Sequence, residues 1–406
     1  MKDKKFKVLH ICTADEGGAG LCCLRIHQAL LKEGVDSKVL MLRTKHTDMA
    51  GVYQYTKGHI IDFLWRGINK ILRLCHLELN DYNRVINLTK RTKIFATLPT
   101  SPIDVSHHPL VKEADLIHLH WVDNFVDYPS FFRNIDKPIV WTLHDEGMFN
   151  GVFHFTDGKR LHEPLDEKYL NIKLRAVHQI KNLGIVFLSK MMWDKFSDNE
   201  MVKGRPNTII NNPVDCDSFE PIEKTKARDI MEIPQDAIVF SFVAGKIADP
   251  RKGLSVLSRT LKKIKIPNAW IMAVGGEQEY SELPLVHPIG SVRGPRNMSI
   301  AYSCADYFVM PSMKEAFAQT PIESMACGVP AIVFPVSGTD ELITPINGIR
   351  TKGFTSKDLE EAIRQAMATH YDGDIIRQDM INRFSPEIIA NKYIEFYKRM
   401  LCSINR

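Results

Sequence analysis

The tightest constraint on the fold lies between residues 306 and 335, DYFVMPSMKEAFAQTPIESMACGVPAIVFP, where two short apolar runs flank one helix-sized stretch. Tyr307–Met310 and Ala331–Phe334 are rich in strand formers, and Thr320 to Cys327 carries helix start and stop signals. Thr320 is placed as an N-cap, Pro321 suits the first helical position, and Gly328 with Val329-Pro330 suits the stop. Glu315 therefore falls where a parallel strand ends and a helix begins. In open α/β sheets ligands bind at the carboxyl ends of strands, and a helix N-terminus offers unpaired N–H groups to an anion. Glu323 has a structural alternative, because Thr320-Pro-Ile-Glu323 fits a capping box in which the glutamate only reaches back to the N-cap N–H.

The same alternation runs along the chain. Strands are expected at Phe6–Thr13, Asp115–Trp121, Pro138–Asp145, Gly184–Ser189, Ala237–Gly245, Ala269–Val274 and Ile289–Val292, with a Gly-rich turn at Gly17-Gly18-Ala19-Gly20 leading into a helix over Leu21–Lys32. Alternating strands and helices argue for parallel sheets. With 406 residues, 44% hydrophobic and 25% charged, two domains of roughly 200 residues are the natural partition. Eight scattered cysteines show neither metal nor disulfide spacing, so a reducing cytoplasm is expected, and no apolar window is long enough to span a membrane. The net charge of +5 does not demand nucleic acid, and none is expected as a partner, but it suits anionic ligands or an anionic membrane.

Pro311-Ser312, Glu315, Glu323, Ala326-Cys327-Gly328, Pro330 and Gly338-Thr339-Asp340-Glu341 together resemble the nucleotide-recognition core of the retaining glycosyltransferases of family 4, which have the GT-B fold. The paired elements His118-Leu-His-Trp121 and Thr142-Leu-His-Asp145 resemble a subgroup among exopolysaccharide and colanic-acid-type transferases. The resemblance implies an α/β fold with two Rossmann-like domains facing across a cleft. It implies an acceptor-side domain over 1–212, a nucleotide-sugar domain over 213–385, and a final helix over 386–406 packing back on the first. It implies transfer of a sugar from a UDP- or GDP-sugar to a glycan or lipid-linked acceptor in cell-surface polysaccharide biosynthesis, without a metal or other cofactor.

Carried over residue by residue, the resemblance makes His144, Glu315 and Lys252 the catalytic candidates. It makes Gly17, Gly18, Lys246, Arg251, Lys252, Gln319, Thr320 and Glu323 donor contacts, with Glu323 on the ribose hydroxyls. One departure stands out. The family places an arginine where this chain has Lys246, and a lysine lacks arginine's bidentate fork.

Some residues have plainer readings. Asp15 and Glu16 read as solvated, and His118 and His120 as a packed pair on one strand face with no third metal ligand in spacing. Asp215-Cys-Asp217 lies in an expected hinge, which argues against a metal motif. The stretch His59–His76 reads as a basic amphipathic helix with Ile60, Leu64, Ile68, Ile71 and Leu72 on one side and Arg66, Lys70 and Arg73 elsewhere. Such a helix either packs on a sheet or lies in a membrane interface, which leaves a peripheral contact with the inner face of the cell membrane open. Two competing functions are a nucleotide-sugar epimerase of the same fold, which would consume no acceptor, and a catalytically silent binding protein, which would lack the charged site residues.

Overall fold

Continuous apolar runs flanked by helices become two all-parallel sheets. The computed structural model describes residues 6–74, 80–92, 94–155, 163–276 and 283–402. Contacts divide the chain into two compact units, one from Met1–Leu188, Trp193–Ile210 and Ile389–Arg406, the other from Ser189–Met192 and Asn211–Ile388.

Among the described residues, the first unit holds β1 (Lys7–Ala14), β2 (Asp36–Arg43), β3 (Val52–Gln54), β4 (Leu116–Leu119), β5 (Ile139–Leu143), β6 (Leu183–Phe187) and β7 (Asn207–Ile209). They form one sheet in the order β3-β2-β1-β4-β5-β6-β7, parallel at every pairing. The second holds β8 (Ile238–Lys246), β9 (Ala269–Gly276), β10 (Val286–Gly290), β11 (Tyr307–Met310), β12 (Ala331–Val333) and β13 (Gly348–Arg350), ordered β10-β9-β8-β11-β12-β13 and again parallel. Each order reverses once, between β1 and β4 and between β8 and β11, and such a switch point opens a crevice at the carboxyl ends of the strands. The α/β class with two Rossmann-like domains is what the structure shows.

Helix α1 (Gly17–Lys32) buries Cys22, Ile26 and Leu30 beside Val8. The glycines expected to form a loop instead make its first turn. Gly20 sets the approach, since a Cβ there would lie 2.2 Å from the Ala14 carbonyl oxygen. The helix Pro386–Cys402 lays Tyr393, Phe396, Tyr397 and Met400 into that same core, with Val140 and Val186. Gly184 makes room for it, because a Cβ there would come 2.7 Å from Met400 Sδ and 2.9 Å from the Phe396 ring. In the second unit Phe240, Ile271, Val309 and Ile332 pack with Leu257, Leu261, Leu359 and Ile363 from two helices.

Two further boundaries that differ from expectation bear on the second unit's strand ends. β10 ends at Gly290, where φ is +83°, so Ser291-Val292 lies beyond it. The helix Gln319–Ala326 begins before Thr320, and its N-cap is Ala318, which caps without a side-chain hydrogen bond. Pro321 is then the third helical residue, where a missing N–H still costs no helix bond. This removes the capping box, because the third helical position is Pro321 and not a glutamate.

Candidate active site

In the second unit the site is assembled at the switch point. β8 runs out at Lys246, which is exposed, and the chain turns through Pro250–Lys252 to Gly253. Gly253 has φ +81° and passes so close beneath β11's exit that a Cβ would sit 2.2 Å from the Pro311 carbonyl oxygen. Met313 N–H donates to the Arg251 carbonyl at 2.8 Å, fastening the loop after β11 to this turn. The two segments bring Lys252 Nζ to 2.5 Å from Glu315 Oε1, with both side chains partly exposed.

The remaining candidates divide. Arg251 is engaged by Asp249, its Nη2 lying 2.6 Å from Oδ2, and that guanidinium holds the Asp249 carboxyl below its usual range. Gln319 and Thr320 open the helix after the Glu315 loop. Glu323, four residues past Gln319, is buried and accepts a hydrogen bond from the Tyr302 hydroxyl at 3.1 Å. Its carboxylate is aimed by a tyrosine from the neighbouring helix Pro295–Ser303 and not by a cap.

The first unit carries a different construction. Gly17, with φ +79°, and Gly18 open α1 with no atom within 4 Å of an added Cβ, so the backbone there is approachable. Asp15, expected to be solvated, is buried. It accepts from the Lys45 N–H at 2.6 Å and the Thr44 hydroxyl at 2.8 Å, with His46 Nδ1 at 2.7 Å, and so ties β1's exit to the loop after β2. Asp215 is likewise local, accepting the Ser218 hydroxyl at 2.6 Å.

His144 and Asp145 follow β5 directly. His144 Nε2 lies 3.0 Å from His120 Nδ1, and His120 Nε2 lies 2.9 Å from His10 Nδ1, giving three imidazoles in a row from the core to the strand end. Burial pushes the His10 and His120 values well below the ordinary imidazole range, and neighbouring histidines push them further. His144 is lowered to about 4 by burial, against the pull of Asp145. All three rings are thus neutral near pH 7, and each pair shares one proton.

The far end of the row, His10 Nε2, is buried without a hydrogen-bond partner. A bare ring nitrogen is tolerated there more readily than an orphaned N–H. That ordering has His10 donate to His120 and His120 to His144, and it leaves His144 with its proton on Nδ1 as a donor. His118 stands apart from the row, between the Thr142 hydroxyl at 2.7 Å and the Tyr397 hydroxyl at 2.6 Å. Among the described residues, the ligating atoms of His10, Cys23 and His120 also lie within 4.8 Å of one another, so the fold supplies a third group that sequence spacing did not.

Asp145 belongs to a buried polar cluster. It accepts from the Gly147 N–H at 2.7 Å and the Trp121 indole N–H at 3.1 Å, and His154 Nδ1 lies 2.6 Å from its Oδ2. His154 Nε2 lies 2.7 Å from the Thr97 hydroxyl and 3.5 Å from Asp123 Oδ2. The buried Lys173 ammonium donates to the Gly147 carbonyl at 2.7 Å. Burial disfavours both charges of the Asp145–His154 pair, yet mutual attraction outweighs it, so the carboxyl is held below its ordinary range and the imidazole above. The cavity that Asp145, Trp121, Asp123 and Gly147 line together with His144 is only about 20 Å³, enough for one water and too small for a sugar. Asp145 and its partners position the loop; they do not form a ligand pocket.

Residues 223–383 match the family model described as "Glycosyl transferases group 1". The matched stretch, similar to a group 1 domain, contains Lys246, Arg251, Lys252, Glu315, Gln319, Thr320 and Glu323. The chain is 32% identical over 158 residues to a D-inositol 3-phosphate glycosyltransferase 2 of Catenulispora acidiphila, a match covering 33% of this chain and 36% of the relative, about a third of its length. It is 26% identical over 316 residues to an uncharacterized glycosyltransferase of Methanocaldococcus jannaschii, covering 71% of this chain and 76% of that one. Among solved structures, Anabaena HepE in complex with UDP-glucose superposes with TM-score 0.63 at 17% identity, over 97% of this chain and all of that one, which shows the shared GT-B fold.

Sequence reasoning missed Tyr302, Asp123, His154, Lys173 and the part played by His10. Only His10 left a signal, since His10 and Cys12 alternate on one strand as His118 and His120 do on the next. The others are joined by loops whose course no periodicity records.

Proposed function

We propose that the protein is a retaining glycosyltransferase. It moves a sugar from a UDP- or GDP-sugar to a hydroxyl of a glycan or lipid-linked acceptor in cell-surface polysaccharide biosynthesis. The observation that carries this reading is the Lys252–Glu315 pair at the carboxyl ends of β8 and β11, inside the stretch that matches the group 1 family model. As the bond from the anomeric carbon to the phosphate oxygen breaks, its electron pair leaves with the nucleoside diphosphate. Lys252 meets that growing charge, aided by the N–H groups of the helix opening at Gln319-Thr320 and by Lys246 and Arg251.

The diphosphate exchanges with Glu315 as the partner of the ammonium, and Glu315 then turns to the hydroxyls of the transferring sugar. Glu323, aimed by Tyr302, accepts the vicinal ribose hydroxyls, a task for which two carboxylate oxygens are suited. The acceptor oxygen bonds to the anomeric carbon on the departing face, and its proton passes to the leaving phosphate. A lysine ammonium supplies the cation, so the reading needs no metal. Within the first unit, the neutral His144 donates Nδ1–H to a sugar oxygen.

A donor screen tests this by measuring UDP or GDP release with and without glycan acceptors. Acceptor-dependent release is expected, and a sugar isomerised with no diphosphate released would establish the epimerase reading instead. Glu323→Ala should weaken nucleotide binding roughly ten- to a hundred-fold, as loss of hydrogen bonds to a charged group does. Unchanged affinity would leave Glu323 as no more than Tyr302's partner.

A further inference from the structure

Helix α2 (Thr56–Leu74) is built inside out. Its apolar stripe faces solvent, with Ile60 61%, Phe63 70%, Leu64 58%, Ile68 58% and Ile71 62% exposed. Two of its polar residues face the protein. Asp62 and Asn69 are buried, Asp62 paired with Arg43 and with Arg66, each at 3.2 Å, and Asn69 accepting from the Asn80 amide at 2.6 Å. Trp65 turns inward to pack against Tyr82, with ring centroids 4.2 Å apart and the planes tilted by 56°. Helices on a sheet bury the apolar side and wet the polar one. Here the inner face is closed by specific polar pairs, so the helix is not merely loose. The packing alternative raised by the sequence holds for the polar face, where Asp62 meets Arg43 of β2, and leaves the apolar stripe uncovered. Of the stretch His59–His76, Cys75 and His76 lie outside the described residues.

The charge on the open face selects what covers it. Exposed side chains from Ile60 to Ile71 include Arg66 and Lys70 and no carboxylate, since Asp62 is drawn inside. An apolar stripe rimmed only by cations complements a surface that is apolar beneath an anionic layer, which is the make-up of a bilayer containing acidic lipids. A second copy of this chain would bring the same cations against them, an arrangement that repels. No helix among the described residues is long and apolar enough to cross a membrane, and α2 itself is about 28 Å long at 1.5 Å per residue, suited to lying in the interface plane.

We propose that α2 docks the protein on an anionic bilayer, with Phe63, Leu64, Ile68 and Ile71 inserted among the acyl chains just below the headgroups and with Lys70 and Arg66 on the lipid phosphates. The test is flotation of the purified protein with vesicles of phosphatidylcholine alone and of phosphatidylcholine with about a third phosphatidylglycerol. The mixed vesicles should carry the protein, salt should weaken the association, and the double variant Phe63→Ser, Ile68→Ser should lower it on the order of ten-fold. Because both side chains are exposed, its thermal unfolding should match wild type. Lys70→Glu should reduce binding to the mixed vesicles only.

Absence of flotation, or flotation that the double variant leaves intact, would overturn the proposal. So would a concentration-dependent dimer abolished by the same substitutions. The vesicles contain no sugar acceptor, so the outcome is independent of the transferase reading.

Discussion

The two sheets share a topology and differ in how they hold charge at the ends of their strands. At the end of β5 the groups are saturated, with His154, Asp123 and Lys173 buried and His144 and Asp145 half-buried. Asp145 has three partners, His154 lies between two carboxylates, and His144 sits at the end of an imidazole row. At the ends of β8 and β11 the charges hold one another, Lys252 against Glu315 and Arg251 against Asp249, and the cation of each pair reaches into solvent. A saturated network fixes a shape before any ligand arrives. A pair at the edge of water gives up little when a diphosphate replaces one member, because solvent screens the bond that is lost. The first region is built to position, the second to exchange partners.

The sharpest way to break this comparison is Asp145→Asn. It leaves His154 buried opposite a neutral amide, and removing one member of a buried pair costs about 3–5 kcal/mol, measurable by denaturant unfolding. The pH dependence follows from both shifts. The Asp145 carboxyl is held below its ordinary 3.8, so its contribution is present above that value and lost as pH falls through the depressed one. His154 is raised above 6.5, so its contribution is full below 6.5 and lost as pH climbs through the raised value. Wild type should therefore exceed the variant most between these limits, and a difference flat across pH would mean that the pair is not ionised.

Lys252→Ala should do the opposite. Stability should hardly move, because the pair is partly exposed, while kcat/KM for diphosphate release should fall roughly 10²- to 10³-fold, the usual loss when a preorganised charge is taken from a leaving group. A large loss of stability with unchanged turnover would put Lys252 among the structural pairs. The smallest effect is expected at Glu341, whose Oε2 is buried without a partner and whose carboxyl is raised to about 7 by burial, with Asp340 adding to the rise. Because the folded value lies above 4.5, its stabilising contribution is full below 4.5 and lost as pH rises through 7. Glu341→Gln should match wild type near pH 5 and exceed it near pH 8 by on the order of 1–2 kcal/mol. It would show that the second unit contains one group that neither exchanges nor saturates.

The sheet was legible because strands buried on both faces are written as continuous apolar runs, and Tyr307–Met310 has the observed limits. Glu315 and Lys252 were legible as residues, and the 2.5 Å pairing between them was not, since 63 positions separate them in the chain. The capping box misled because two rules competed for Thr320-Pro-Ile-Glu323, and the helix started two residues early on a loop fixed by β11. Asp145 was named only as a neighbour of His144, because its partner His154 lies in a loop that carries no period. α2 shows a further limit. Its amphipathic spacing was plain, but spacing cannot say which face is inside, and Asp62 and Asn69 decided that through partners at Arg43 and Asn80.

Gly184 carries a consequence for biosynthesis. The helix that it admits is translated only after the whole second unit, yet Tyr393, Phe396 and Met400 belong to the core around Val8. On the ribosome, the first unit must wait with Val140, Val186 and Leu116 uncovered until some 180 further residues have emerged, at about 5–20 residues per second. A nascent chain halted before residue 389 should recruit a chaperone, and supplying 386–402 as a separate peptide should release it.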